Sequence, residues 1–254
     1  MRFDVLTLFP EMMESIFSAS ILGRARTAGL LDVHCVDIRD FTKDKHRKVD
    51  DTPYGGGYGM VMTCQPAVDC IRHVKAQAAG STRVIYLSPQ GKVLTQQKAK
   101  ELCAYDRLIL LCGHYEGIDE RIIELEVDEE ISAGDYVLTG GELPAAILVD
   151  CVARMQDGVL ANRECYEKES LSDGLLEHPQ YSRPAVWHDR EVPEILRSGD
   201  HAKVAAWRKK ESYKRTMRRR PDMFARFDES QLTTKAERKI LQQAKEELAA
   251  EDAE

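Results

Sequence analysis

The residues best suited to chemistry lie in glycine-rich stretches that follow short apolar runs. Residues 131–144 have the sequence Ile-Ser-Ala-Gly-Asp-Tyr-Val-Leu-Thr-Gly-Gly-Glu-Leu-Pro, and residues 112–121 have the sequence Cys-Gly-His-Tyr-Glu-Gly-Ile-Asp-Glu-Arg. Gly140 and Gly141 permit a positive φ and a close approach of the main chain to a bound group. A third apolar run, 84–87, ends in Ser-Pro-Gln-Gly. Three such junctions together favour a ligand site beyond the carboxyl ends of the strands of an open α/β sheet.

The elements around these junctions alternate between strand and helix, which predicts an α/β fold with a parallel sheet. The helix predicted behind Pro144 is apolar on nearly all sides, so it is expected in a core or against another subunit. The tail from Gln242 is expected to be frayed or disordered. The predicted strands are 3–8, 31–38, 83–87, 107–111 and 136–138, and the predicted helices are 10–29, 65–79, 95–104, 144–159 and one or two within 201–220.

Two familiar nucleotide motifs are missing from the sequence. The cluster Tyr54–Gly59 has Met60 where a dinucleotide fingerprint needs a glycine, and Gly91-Lys92 is followed by Val93 rather than by the Ser or Thr of a phosphate loop. The polar run 39–48 before the cluster predicts a loop. It is either a solvated surface or, with the two tyrosines, a flap that stacks on RNA.

Composition indicates a soluble globular protein, with 43% hydrophobic and 31% charged residues among 254. The amino end is a strand-length apolar run that contains Asp4, so neither a signal peptide nor a spanning helix is predicted. A cytoplasmic protein without membrane association is expected. The seven cysteines include no Cys-x-x-Cys pair, which argues against a disulfide framework and a zinc site.

Charge is distributed unevenly along a chain whose net charge is −7. Residues 116–130 carry eight acids and one Arg, whereas residues 201–220 carry nine Lys or Arg and one Glu. A phosphate backbone responds to the potential within about 10 Å rather than to the total charge. The basic segment is therefore either a nucleic-acid contact or the solvated face of a small helical domain.

Several motifs together resemble those of the bacterial tRNA (guanine-N1-)-methyltransferase family. They occur in the same order over nearly the whole chain: Leu8-Phe-Pro-Glu11, Ser88-Pro-Gln-Gly91, 112–121, 134–144, Gly174-Leu-Leu-Glu-His-Pro-Gln-Tyr-Ser-Arg-Pro184 and Arg219-Arg-Pro221.

The resemblance implies a SPOUT-class enzyme that acts as a homodimer. Expected are a knotted α/β domain over 1–160 with a trefoil-knot-type site for S-adenosylmethionine, a linker over 161–173, and a helical tRNA-binding domain over 174–254. The implied reaction methylates N1 of the guanosine immediately 3′ of the anticodon in tRNA. The resemblance also raises magnesium as an assisting ion. The expected cofactor residues are Tyr86, Leu87, Ser88, Pro89, Gly113, Tyr115, Glu116, Gly117, Ile131, Gly134, Tyr136, Leu138, Gly140, Gly141 and Pro144.

Methylation of guanine N1 requires a base for the N1 proton and a cation for charge that builds on O6. In the family these roles resemble those of an Asp beside a Ser in the linker and of an Arg on the preceding helix. The matching positions are Glu169, before Ser170, and Arg154. Glu169 departs from the family's Asp, which leaves Asp173 as a rival base, and Glu177 also stands where Asp is usual.

Three alternatives stay open. Arg154 could be a surface cation, and the chain could bind RNA without catalysis or methylate another RNA site.

Overall fold

The computed structural model describes residues 1–77, 79–167 and 169–251, which divide into two compact units. The first unit is Met1–Arg163 and the second unit is Glu164–Glu254. The predicted linker, 161–173, straddles this division. Within the described residues no helix combines the length and apolarity needed to cross a membrane.

The first unit contains a five-stranded parallel sheet in the order β2-β1-β6-β5-β7. A separate two-stranded antiparallel pair joins β3 to β4. The strands are β1 Arg2–Thr7, β2 Asp32–Asp37, β3 Asp50–Asp51, β4 Val61–Met62, β5 Thr82–Val93, β6 Arg107–Cys112 and β7 Glu129–Ser132. The helices are α1 Pro10–Phe17, α2 Ser20–Thr27, α3 Cys64–Lys75, α4 Gln96–Leu102, α5 Glu120–Glu126 and α6 Glu142–Ala153.

The core forms because the central strand has no polar face. Every residue of β6 is buried, as expected of a parallel strand covered on both sides. On one side, Ala67 and Ile71 of α3 join Ile109 and Leu111 of β6 in a single apolar cluster. On the other side α6 packs against β1 and β6. These helices hold the carboxyl ends of the strands, and the loops beyond them, in fixed positions.

One predicted strand is wrong. Residues 136–138 form no strand, and their side chains are exposed, while the sheet's fifth strand is β7 at Glu129–Ser132. The acid at its start is paired, since Lys98 Nζ lies 2.5 Å and Arg83 Nε 3.6 Å from the carboxylate of Glu129. Local hydrophobicity could not reveal a strand whose charges are neutralised by distant partners.

Other boundaries also differ from those predicted. The junction predicted at 88–91 lies inside β5, where Leu87 and Lys92 both pair with Ile131 around a bulge. The helix predicted at 144–159 begins at Glu142 and ends at Ala153, so Pro144 occupies its first turn. The single helix predicted from residue 10 is two helices, α1 and α2.

The second unit is built around two long helices, α8 and α10, which pack together. Tyr213, Leu232, Leu241 and Ala244 form its buried apolar cluster with Leu175. Residues 242–251 of the tail predicted to be frayed or disordered therefore belong to a packed helix, and residues 252–254 lie outside the described residues. The elements are α7 Glu164–Glu167, β8 Val186–Trp187, β9 Arg190–Glu191, α8 His201–Arg219, α9 Pro221–Phe224 and α10 Lys235–Glu251.

Candidate active site

Two loops meet at the carboxyl end of the sheet. The backbone N–H of Gly141 donates to the carbonyl of Gly113 at 2.8 Å, and His114 forms an antiparallel bridge with Gly140. A Cβ atom at Gly141 would lie 2.8 Å from Cys112 Cα, so only glycine allows this approach. The expected positive φ is absent from both Gly140 and Gly141. These glycines are required for contact between two parts of the backbone.

A buried carboxylate fixes this loop contact. Glu142, the first residue of α6, accepts a hydrogen bond from the Thr7 hydroxyl at 2.8 Å. The same hydroxyl accepts from the backbone N–H of Phe9 at 2.9 Å. On the other side His114 Nδ1 lies 4.0 Å from Glu142 Oε2. Glu142 thus connects α6, the end of β1 and the loop after β6, a role that the sequence did not reveal.

A cavity of about 280 Å³ lies against these loops. Thirteen of the fifteen residues expected at a cofactor site line it: Tyr86, Leu87, Ser88, Pro89, Gly113, Tyr115, Glu116, Gly117, Tyr136, Leu138, Gly140, Gly141 and Pro144. Ile131 and Gly134 do not. Ile131 is buried in β7, and a Cβ atom at Gly134 would lie 2.5 Å from the ring of Tyr136. These two residues therefore lie behind the residues that line the cavity.

The charge of the cavity wall is negative. Glu116, Glu120 and Glu130 line the cavity, and the described lining residues include no Lys or Arg. Carboxylates without a competing cation create a negative potential that attracts a positively charged ligand. A phosphate-bearing ligand would be repelled.

Tyr86 supplies a neutral hydroxyl to the same wall. Burial, together with the nearby charges of Glu130 and Glu120, raises the pKa of Tyr86 to about 12. The phenol therefore stays protonated at neutral pH and can donate a hydrogen bond. A Cβ atom at Gly113 would lie 2.9 Å from the Tyr86 hydroxyl oxygen, so glycine is needed there as well.

The glycine-rich cluster at 54–59 is attached to the cavity wall at its base. The N–H of Glu116 donates to the carbonyl of Met60 at 3.0 Å, and a Cβ atom at Gly59 would lie 2.4 Å from Glu116 Cγ. Tyr54 and Tyr58 are fully exposed. Stacking of these tyrosines on RNA stays a prediction.

The residues expected to carry out methyl transfer lie in different units. Arg154 follows the last residue of α6 in the first unit and is half-buried. Glu169 lies in the second unit, also half-buried, and lines a cavity of that unit together with Asp173. The carboxylate of Asp173 accepts from Lys209 Nζ at 2.8 Å and from the N–H of Leu175 at 3.2 Å. Asp173 therefore has structural partners for both oxygens.

The basic segment 201–220 consists of the single helix α8 and the residue that follows it, Arg220. Several cations of this segment are paired. Lys210 and Lys214 both contact Glu247, and Arg218 contacts Glu251 at 2.8 Å. Lys209 pairs with Asp173, and Arg220 pairs with Asp222. Lys203 pairs with Asp200, and within the described residues three cations of the segment form no ion pair: Arg208, Arg215 and Arg219.

Comparison with known proteins gives one consistent result. The family model described as tRNA (guanine-1)-methyltransferase TrmD matches residues 1–226. A tRNA (guanine-N(1)-)-methyltransferase of Ruminiclostridium cellulolyticum is 56% identical over 91% of this chain and 100% of that protein. Proteins of the same name from Chloroflexus aurantiacus and Clostridium botulinum are each 52% identical, over 95% and 98% of this chain and 95% and 100% of their own length.

The Thr7 hydrogen bond yields a prediction about the loops. Thr7→Val keeps the shape but leaves buried Glu142 without its donor, which should lower the free energy of unfolding by about 1.5–3 kcal/mol. It should also weaken binding of S-adenosylmethionine, because the two loops lose their support. Urea unfolding and calorimetric titration measure the two effects.

Thr27→Val is the matched control, since Thr27 donates only to the Gly23 carbonyl on the exposed side of α2. If both variants unfold and bind alike, Glu142 does not support the loops.

Proposed function

Because the chain belongs to the tRNA (guanine-1)-methyltransferase family, we propose that it transfers a methyl group from S-adenosylmethionine to N1 of the guanosine immediately 3′ of the tRNA anticodon. The observation that carries this proposal is the cavity against Gly113 and Gly141. Its wall has three carboxylates and, among the described residues, no Lys or Arg. That wall suits a cofactor with a positively charged sulfur. The tRNA substrate implies a cytoplasmic enzyme.

Different residues of the cavity are suited to different parts of the cofactor. Leu87, Leu138 and Pro144 provide apolar walls suited to a planar base, and Tyr86 provides a neutral hydrogen-bond donor. The carboxylates face the positively charged groups. When bound, S-adenosylmethionine supplies an electrophilic methyl group on a sulfonium.

The remaining chemistry belongs to Glu169 and Arg154. Glu169 accepts the proton from guanine N1, which leaves the lone pair of that nitrogen available for the methyl group that S-adenosylmethionine would supply. Arg154 neutralises the negative charge that develops on O6. Asp173, whose carboxylate accepts hydrogen bonds from Lys209 and from the Leu175 N–H, is the rival candidate for the base.

A knotted chain path is part of the proposal. The edge strand β7 ends at Ser132, whereas α6, only ten residues later, packs on the central strands β1 and β6. The intervening segment must cross the carboxyl ends of the strands, which is compatible with the trefoil knot of the SPOUT class. An experimental chain trace without a knot would refute this part.

Magnesium is expected from the family resemblance alone. The described residues bring together no group of three or more His, Cys, Asp or Glu side chains suited to hold a metal ion.

The test of the function is a labelling experiment. The protein is incubated with methyl-labelled S-adenosylmethionine and unmodified tRNA, and the digested nucleosides are identified. Label in 1-methylguanosine at the position 3′ of the anticodon is expected. Binding of tRNA without label transfer would support a non-catalytic RNA-binding protein, and label in another nucleoside would support a different RNA site.

The role of Glu169 gives a second prediction. Glu169→Gln should reduce the single-turnover rate about 10²-fold or more with cofactor affinity unchanged, because a positioned base contributes roughly 10²–10⁴ in rate. Glu169→Asp should retain substantial activity. Asp173→Asn is the control, and turnover lost there but kept in Glu169→Gln would reassign the base.

A homodimer is proposed from an exposed apolar surface on the first unit. Leu143 and Ile147 of α6 are exposed, as are Phe9 and Met12 at the neighbouring helix α1. Water-exposed apolar residues on adjacent helices mark an interaction surface. Ile147→Glu should convert the dimer to a monomer in sedimentation at low micromolar concentration. A parent protein that sediments as an active monomer contradicts the proposal.

The pattern of ion pairs on α8 refines the proposed tRNA contact. Arg215→Gln with Arg219→Gln should lower the slope of log affinity against log salt by about 1.5, since each phosphate contact contributes roughly 0.7–0.9. Lys210→Gln with Arg218→Gln is the matched control, because their cations already face Glu247 and Glu251. If both double variants show the same salt slope, the ion pairs of α8 do not determine which of its cations contact tRNA.

A further inference from the structure

A second cavity, of about 350 Å³, lies within the second unit and shares no lining residue with the first cavity. Its size falls within the range of small-ligand sites, roughly 300–1,000 Å³. We propose that it holds one unpaired nucleotide of the tRNA, in addition to the guanosine that is methylated. This inference rests on the proposed function, because it assumes that tRNA is the substrate.

The charge of this cavity is opposite to that of the first. Arg183, Arg197 and Arg208 line it, and its described lining residues include no Asp or Glu. Arg183 and Arg208 form no ion pair with the described residues, whereas Arg197 lies 3.7 Å from Glu191. Guanidinium groups bind phosphate through paired N–H donors. The site therefore suits an anionic group such as a phosphodiester.

An aromatic ring stands beside these cations. Tyr181 lines the cavity and is 48% exposed, so one face is available to a ligand. Its ring centroid lies 6.4 Å from that of Trp207, which is 6.3 Å from His178. Trp207 limits the motion of the tyrosine, and a ring held in place loses little entropy when a base stacks on it.

Apolar side chains complete the wall. Val192 and Leu196 line the cavity from the segment after β9, and Val204 lines it from α8, one turn before Arg208. A wall that combines apolar and aromatic side chains with arginines matches a base joined to a phosphate. Bases in a paired stem are stacked and unavailable, so the ligand must be an unpaired nucleotide, as in a loop.

The two tryptophans of the chain provide a specific readout. Trp207 contacts Tyr181, whereas Trp187 lies exposed on β8 and does not line the cavity. Trp187→Phe therefore leaves Trp207 as the only reporter. In that full-length background, an RNA anticodon stem–loop is titrated without S-adenosylmethionine. A saturable change in Trp207 emission is expected, with a midpoint equal to the dissociation constant from filter binding.

Variants separate stacking from charge. Tyr181→Ala should weaken RNA binding about tenfold and reduce the emission change, while Tyr181→Phe should retain both, because base stacking needs the ring and not the hydroxyl. Arg183→Gln should lower the salt slope by roughly 0.7, the value for one contact to single-stranded RNA. Arg190→Gln is the matched control, since Arg190 is an exposed arginine on β9 outside the cavity.

The outcomes distinguish this inference from the proposed function. If the parent protein binds and methylates tRNA, but Tyr181→Ala and Arg183→Gln bind the stem–loop with the affinity and slope of Arg190→Gln, the nucleotide site is refuted and the function stands. A parent that neither binds nor methylates tRNA refutes both. If Tyr181→Phe binds RNA as weakly as Tyr181→Ala does, the stacking site is also refuted, because keeping the ring then makes no difference to the affinity.

Discussion

The first unit depends on one backbone hydrogen bond, from Gly141 to Gly113, which exists only because neither residue has a side chain. It joins the end of the central strand to the start of α6. Glu142 then ties both to β1 through the hydroxyl of Thr7. The cavity wall is the outer surface of this junction. The part of the wall around Gly113 and Gly141 is therefore held in shape by the core of the sheet.

The cavity of about 280 Å³ in the first unit and the cavity of about 350 Å³ in the second unit are lined by opposite charges. The first unit presents Glu116, Glu120 and Glu130 and suits a cationic group, while the second presents arginines and suits phosphate. The net charge of −7 conceals this division. Such an arrangement suits a sulfonium group in the first cavity and a phosphate group of RNA in the second, because each charge is attracted by the opposite one.

The sequence predicted the βα order and β6 well, because an all-apolar run bounded by turns has few other interpretations. It could not predict β7, whose Glu129 is neutralised by Lys98 and Arg83, or the absence of a strand at 136–138. Most of the expected cofactor residues do line one cavity. They belong to short glycine-rich motifs, and a local sequence pattern is enough to recognise such a motif. The Thr7–Glu142 hydrogen bond spans 135 positions, and the pairing of α8 with α10 spans more than 30, so no local pattern contains either.

The Thr7–Glu142 hydrogen bond joins two ends of the first unit that are 135 positions apart in the chain, so a ligand bound beside it affects more than the loops. A ligand that contacts both glycine loops binds only when β1, β6 and α6 are all in place, so it stabilises the whole first unit. At a ligand concentration one hundred times the dissociation constant this amounts to about 2.7 kcal/mol. Proteases cleave the open form in proportion to its population. Resistance of the protein to proteolysis should therefore rise with the concentration of that ligand.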